Sequence, residues 1–177
     1  MKYSKASVTW AIASLSVTLI SLPVSAQLIP DGTTTTTILS NQIIRGDLAE
    51  YITDGNSLND DLRHSFSEFN IDVGQRVYFA DSTAINNIIT RITGSNGSNI
   101  LGTLGVDGNA NLFLVNPNGF IFGSDASLDI SGAFLISTAS EINLGEIGIM
   151  NIVNADPVAL FDLLQKVIAI QNCKDQQ

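Results

Sequence analysis

DGNANLFLVNPNGFIFGSDASLDISGAFLISTA, residues 107–139, decides how the rest of the chain is read. Short apolar runs alternate with Asp107-Gly108-Asn109, Asn116-Pro117-Asn118-Gly119, Ser124-Asp125 and Ser131-Gly132. The spacing predicts strands over residues 100–106, 110–115, 119–122, 127–130 and 133–138. Strands this short and this even belong to a sandwich, a barrel or a solenoid. Leu112-Phe113-Leu114-Val115 and Phe120-Ile121-Phe122 are apolar at every position. An open antiparallel sheet with one wet face would not tolerate that. A coiled stack would, with one face inward and the other under a flanking element. The tetrapeptide at 116–119 has type I turn chemistry. Asn at the first position accepts a hydrogen bond from the backbone two residues on, proline presets φ, Asn tolerates the third place and Gly suits the fourth.

Upstream of this block the period stays strand-like. Residues 33–39 are Thr-rich with high β-propensity, and 42–46 form a second short strand ended by glycine. TDGNSLNDD, residues 53–61, is turn chemistry throughout. From Phe69 the series Phe69, Ile71, Val73 alternates with polar residues, as one buried strand face would. Val77-Tyr78-Phe79 is a further strand, and β-branched content tips INNIITRIT, residues 85–93, the same way. Downstream the character changes. Asp156 as N-cap and Pro157 in the first turn predict a helix near 157–170. Leu160, Leu163, Leu164, Val167 and Ile168 share one stripe of it, expected to dock on the domain.

The start of the chain carries export chemistry. Lys2 and Lys5 precede an uncharged run over residues 6–22 rich in Ala, Val, Leu and Ile. Pro23 breaks it, and Val24-Ser25-Ala26 supplies small residues for signal peptidase, with cleavage expected between Ala26 and Gln27. Removing residues 1–26 from 177 leaves 151, enough for one domain with a core. Both lysines of the leader go with it, so six basic residues face 17 acidic ones, a net charge of −11. Such a surface repels phosphates, which argues against nucleic acid as a partner. The one cysteine, Cys173, has no internal partner, so packing must hold the domain.

Chemistry-bearing residues weigh towards structure. His64-Ser65 has no nucleophile elbow or triad spacing, and reads as a satisfied polar pair at a strand start. Asp107-Gly108-Asn109 lacks the further carboxylates of a calcium loop and reads as a turn. Asp60-Asp61 reads as a solvated loop. Arg91, in an apolar strand, is expected to pair with a carboxylate inside a cap, with transporter contact as the rival reading. Leu112, Phe113, Phe120 and Phe122 read as core. No catalytic, metal or cofactor site is expected.

ITRITGSNGSNILGTL (residues 89–104) followed by residues 107–140 resembles the N-terminal secretion domain of filamentous haemagglutinin-like exoproteins, also called the haemagglutination activity domain. The match is read through Asn111-Leu112-Phe113-Leu114, Asn116 to Gly119, Ile121-Phe122-Gly123, Ala126-Ser127-Leu128 and Gly132 to Ala139. Arg91-Ile92-Thr93-Gly94, His64-Ser65-Phe66 with Phe69, and the start QLIPDGTTTTT from Gln27 also resemble family segments. The family's second Asn-Pro-Asn turn upstream is absent, and beyond Glu141 the sequence diverges from it.

The resemblance implies an all-β fold: a right-handed, single-stranded parallel β-helix of pectin-lyase type with an N-terminal β cap, here followed by the short C-terminal helix. It implies three parts: a signal peptide at 1–26, the secretion domain at 27–140 and a divergent tail at 141–177. It also implies a non-enzymatic role in two-partner secretion. An outer-membrane transporter would recognise the domain through its periplasmic accessory domains, and the product would reach the cell surface or medium of a Gram-negative-type cell. A host or neighbour-cell glycan or protein would be the adhesion target. Asn116, Pro117, Asn118 and Gly119 are the candidate recognition corner or structural turn; Arg91, Thr93, Gly94, Asn111, Phe113 and Gly123 are its supporting motif. Two alternatives stand beside this reading: a carbohydrate-active β-helix enzyme, and a truncated gene fragment without function.

Overall fold

The computed structural model of the chain describes residues 26–82, 84–143 and 149–151. Residues 1–25 of the signal peptide expected at 1–26, and the helix expected near 157–170, lie outside the described residues. Two strands, β1 (Gln27–Pro30) and β2 (Thr37–Ile44), precede the first coil, which is built from β3 (Asp47–Thr53), the short β4 (Asn56–Leu58) and β5 (Asp61–Asn70). The second coil is β6 (Arg76–Ala80), β7 (Asn87–Ile92) and β8 (Ser98–Ile100). β9 (Thr103–Asp107), β10 (Asn111–Val115) and β11 (Phe120–Phe122) make the third. The fourth is β12 (Ser127–Asp129) and β13 (Phe134–Ser137). β14 (Glu141–Asn143) and β15 (Ile149–Asn151) pair only with each other, antiparallel. No helix occurs among the described residues.

Successive coils stack in parallel. One sheet runs β5-β7-β10-β13, a second runs β3-β6-β9-β12, and β8-β11 with Ile71 bridged to Ile100 make the third face. The result is a β-solenoid of about four turns, the parallel β-helix that double-sided apolar strands require. Its first coil is closed by antiparallel neighbours: β1 and β4 on β5, and β2 on β3. The β2–β3 hairpin turns through Arg45 and Gly46, both at positive φ, which matches the twist of its strands.

Register places one residue of each coil directly over another, so the core is a set of vertical columns. Ile52, Phe79 and Val106 form one; Val77, Leu104 and Leu128 a second; Ile71, Ile100 and Phe122 a third. On the opposite face stand Leu62, Ile88, Leu112 and Phe134, beside His64, Thr90, Leu114 and Ile136. Near the cap the columns hold aromatic rings: Phe69 stacks on Phe79 and meets Phe66 edge-on.

Several expectations are corrected. Residues 100–106 are not one strand: a corner at Leu101-Gly102 sends β8 and β9 to different faces. Gly102 is needed there, because a Cβ would lie 2.3 Å from the carbonyl oxygen of Gln75. The turn-rich 53–61 segment contains β4, since Asn56, Ser57 and Leu58 pair with Arg63, Leu62 and Asp61 along the edge of the first coil. Val73 is exposed, because the chain leaves the core at Ile71 to round a corner. Asp61 is buried: it opens β5, and its Oδ1 accepts from Asn87 Nδ2. His64 lies within β5, fully buried, with Nδ1 on the Thr36 hydroxyl at 3.0 Å and Nε2 without a hydrogen-bond partner. Phe122 is 38% exposed, because no described strand stacks above it.

Candidate functional site

The corner at 116–119 leaves β10 and enters β11. Asn116 is fully buried, and its side chain organises the bend. Its Oδ1 accepts the Asn118 backbone N–H at 2.9 Å, and its carbonyl accepts the Gly119 N–H at 3.0 Å, closing the turn. Its Nδ2 reaches down to the coil below, donating to the Asn96 carbonyl at 3.1 Å and the Ser98 hydroxyl at 3.0 Å. Its backbone N–H donates upward to the Ser137 carbonyl. One asparagine thereby ties three coils together. Gly119 sits at φ +97°, a left-handed value that favours glycine.

Pro117 is half-buried and Asn118 is exposed, forming the crest of the corner. Asn118 Nδ2 donates to the Gly94 carbonyl at 2.8 Å. Gly94 itself tolerates no side chain, since a Cβ would lie 2.0 Å from the Ser67 carbonyl oxygen. Beside the corner, Gln27, Asn70, Asn96, Asn99, Asn118 and Ile121 line a groove of about 600 Å³. Gln27, the expected first residue of the mature chain, thus borders the same groove as the crest.

Arg91 is buried against the cap. Its Nε donates to Ser65 Oγ at 2.9 Å and an Nη to Thr33 Oγ1 at 3.3 Å. Ser65 and Thr93 in turn donate to Asp31 Oδ2 at 2.5 and 2.9 Å. Burial works to raise the Asp31 pKa, but the bonds from Ser65, Thr33 and Thr93 outweigh it and hold the carboxyl below its ordinary value. Asp31 is thus linked to Arg91 indirectly, through the Ser65 hydroxyl.

The structure brings Gly94 to the corner, places Thr93 in the Asp31 network and distributes the other supporting residues. Asn111 lies at the far end of β10 in an amide ladder: Asn111 Nδ2 donates to Asn87 Oδ1, and Asn87 Nδ2 to Asp61. Phe113 faces away from the core columns yet is nearly buried, as the doubly apolar strand demands. Gly123 follows β11, where a Cβ would press on Leu101. Sequence reading missed Asn96 and Ser98, which receive Asn116, and Asp31. It also missed a clamp on the outer face of the second sheet. Tyr78 lies between the Arg45 and Arg76 guanidinium groups, 5.7 and 5.0 Å from its ring centre, and its hydroxyl donates to Asp129 Oδ2 at 2.6 Å. Gly105 in the middle of an apolar strand was the available signal, for a Cβ there would meet the Tyr78 ring at 2.3 Å. Among the described residues no group of three or more His, Cys, Asp or Glu side chains could hold a metal ion.

A parallel β-solenoid closed at its N-terminal end, with an asparagine-proline corner locked between coils, defines a capped parallel β-helix. The chain belongs to the TPS secretion domain family, whose match spans residues 26–159. Among solved structures it is similar to the crystal structure of a filamentous hemagglutinin secretion domain, with a TM-score of 0.50 and 22% identity. That similarity covers 65% of this chain and 43% of the other, so it spans less than half of that chain's length and supports the fold alone. Comparison with curated proteins gives no match.

Proposed function

We propose that this chain is the export-targeting domain of a two-partner-secreted exoprotein, and that the periplasmic accessory domains of its transporter read the crest formed by Pro117 and Asn118. The observation that carries this reading is the division of labour within one tetrapeptide. Asn116 is turned wholly inward and holds three coils, while its two neighbours are lifted to the surface on that anchor. A rigidly held polar crest beside a groove is suited to recognition, because little side-chain entropy is lost on binding. The leader ending at Ala26 delivers the chain to the periplasm. The coils wind right-handed, as parallel crossovers do. They can add one at a time to the finished cap, so that folding outside the cell favours export. Cell-surface adhesion is the destination this family reading supports. A non-enzymatic role fits the carboxylates, for Asp31, Asp61, Asp81 and Asp129 are all engaged in holding coils or turns.

The test uses Asn118→Ala and Pro117→Ala, with export through the transporter and thermal melting both measured. Export should fall about tenfold, the value of one lost good contact, while Tm stays within about 2 °C. Normal export of both crest variants, with Asn116→Ala losing stability and export together, would make the corner structural only.

A further inference from the structure

The sequence holds two Asn-Gly pairs, Asn96-Gly97 and Asn118-Gly119, and the solenoid lays one on the other. Phe120 stands over Ser98 in the β8–β11 register, and the Ser98 N–H donates to the Gly119 carbonyl at 3.0 Å. Both pairs border the groove beside the corner. An asparagine followed by glycine is the thermolabile arrangement of its type, because glycine has no Cβ to shield its N–H and leaves the backbone free to close a ring.

The two pairs are held differently. At the upper pair the Gly119 N–H is engaged by the Asn116 carbonyl, Gly119 is fixed at φ +97°, and Asn118 Nδ2 donates to the Gly94 carbonyl. The lower pair lies in an exposed bend. There the Gly97 N–H has no hydrogen-bond partner among the described residues. The Asn96 side chain is held through Nδ2, which donates to Glu68 Oε1 at 2.6 Å.

We propose that Asn96 is a site of spontaneous deamidation, and that its conversion unlatches the Asn116 corner. The Gly97 nitrogen loses its proton to solvent and attacks Asn96 Cγ. The bond to Nδ2 breaks, ammonia leaves and a cyclic imide remains. Water, the one co-reactant, then opens the ring to aspartate or isoaspartate. Either product carries a carboxylate where an amide met Glu68, so a donated hydrogen bond becomes a repulsion between like charges. The isoaspartate product also runs the main chain through the former side chain. That shifts the Asn96 carbonyl and the Ser98 hydroxyl, the two groups that Asn116 Nδ2 binds. The inference concerns the chemistry of the chain alone and stands whatever the transporter reads.

The full chain is kept at neutral pH, folded and, as a reference, unfolded in urea. Both samples are mapped by mass spectrometry and assayed for isoaspartate. Unfolded, the two pairs should convert at similar rates. Folded, Asn96 should convert about tenfold faster than Asn118, the factor set by one hydrogen bond that must open first. Equal rates in the folded chain overturn the site, and so does an Asn96 that keeps its amide while the unfolded chain loses it. In the converted chain the Asn116 side-chain amide resonances should move towards their positions in urea; unshifted resonances overturn the unlatching. Asn96→Asp supplies the charge without the altered main chain and should lower Tm by about 2–4 °C, with Glu68→Gln in the same chain recovering part of the loss. An unchanged Tm in Asn96→Asp overturns the repulsion with Glu68.

Discussion

The two ends of this solenoid are made from the same kinds of residue and behave as opposites. At the N-terminal end three antiparallel strands close the first coil, and Phe66, Phe69 and Phe79 pack there with 1% exposure or less. At the other end Phe122, Leu128 and Ile136, standing on the columns that begin with Ile71, Val77 and His64, are left half in water. Burial is therefore decided by what stacks on a residue, not by its type. The sharpest way to break this comparison is to remove one large side chain from each end. Phe79→Ala should cost about 3–5 kcal/mol, the usual value for emptying an aromatic site, whereas Leu128→Ala should cost about 1 kcal/mol or less. Denaturant unfolding of both variants checks it, and equal losses would show that the open end is as well packed as the capped one.

That contrast also explains what was legible in the sequence. Doubly apolar Leu112-Phe113-Leu114-Val115 announced a coiled stack, because no half-wet sheet accommodates it, and the parallel register of β10 with β7 and β13 agrees. The family motifs pointed to the secretion domain that the family comparison identifies. Phe122 was misread because the same composition-based rule cannot tell an interior coil from a terminal one. Asp61 and His64 were misread for a related reason. Local chemistry marks both as polar, but the groups that meet them, Asn87 for Asp61 and Thr36 for His64, lie elsewhere in the chain and reach them only after folding. Asp31 sits in a Thr-rich stretch with no local sign that Ser65 and Thr93, far along the chain, converge on it.

The capped end should also be the acid-sensitive one. Burial drives the His64 pKa down to about 4 from an ordinary 6.5, with Asp54 opposing the shift. The unfolded chain binds the proton more readily, so stability is constant above the unfolded value. It is lost as pH falls from about 6.5 to about 4, by roughly 3 kcal/mol in total. A urea midpoint measured across that window should fall, and His64→Phe, which keeps a ring beside Phe79, should flatten the slope. A slope unchanged in the variant would move the acid sensitivity elsewhere and weaken the view of the cap as the sealed end.

Between the ends lies the corner. Asn116→Ala removes an amide that spans coils and leaves the Asn118 N–H and the Ser98 hydroxyl short of a partner. The expected cost is about 2 kcal/mol, below that of Phe79→Ala and above any change at the open end. Thermal melting measures it. A negligible loss would mean that stacking alone holds the third coil, and would shift the weight of the tetrapeptide towards recognition.

The smallest effect should come from Asp129, where the capped end reaches across to the last coil. Arg45, in the β2–β3 turn, pairs with one oxygen of Asp129 and donates to the Val106 carbonyl, and the Tyr78 hydroxyl takes the other oxygen. Burial first, and then this bond to Asp129, raise the Tyr78 pKa, while Arg76 opposes them. The phenol's contribution to stability is thus present at neutral pH and lost as pH rises through its folded value. Asp129 lies at the surface, so the pair is screened and Asp129→Asn should cost under about 1 kcal/mol. Its clearer signature is spectroscopic: the Tyr78 titration, followed by ultraviolet absorbance, should move back towards the ordinary tyrosine value. If Asp129→Asn instead cost as much as Asn116→Ala, the hairpin would be holding the last coil as firmly as the first, and the open end would be closed from the side.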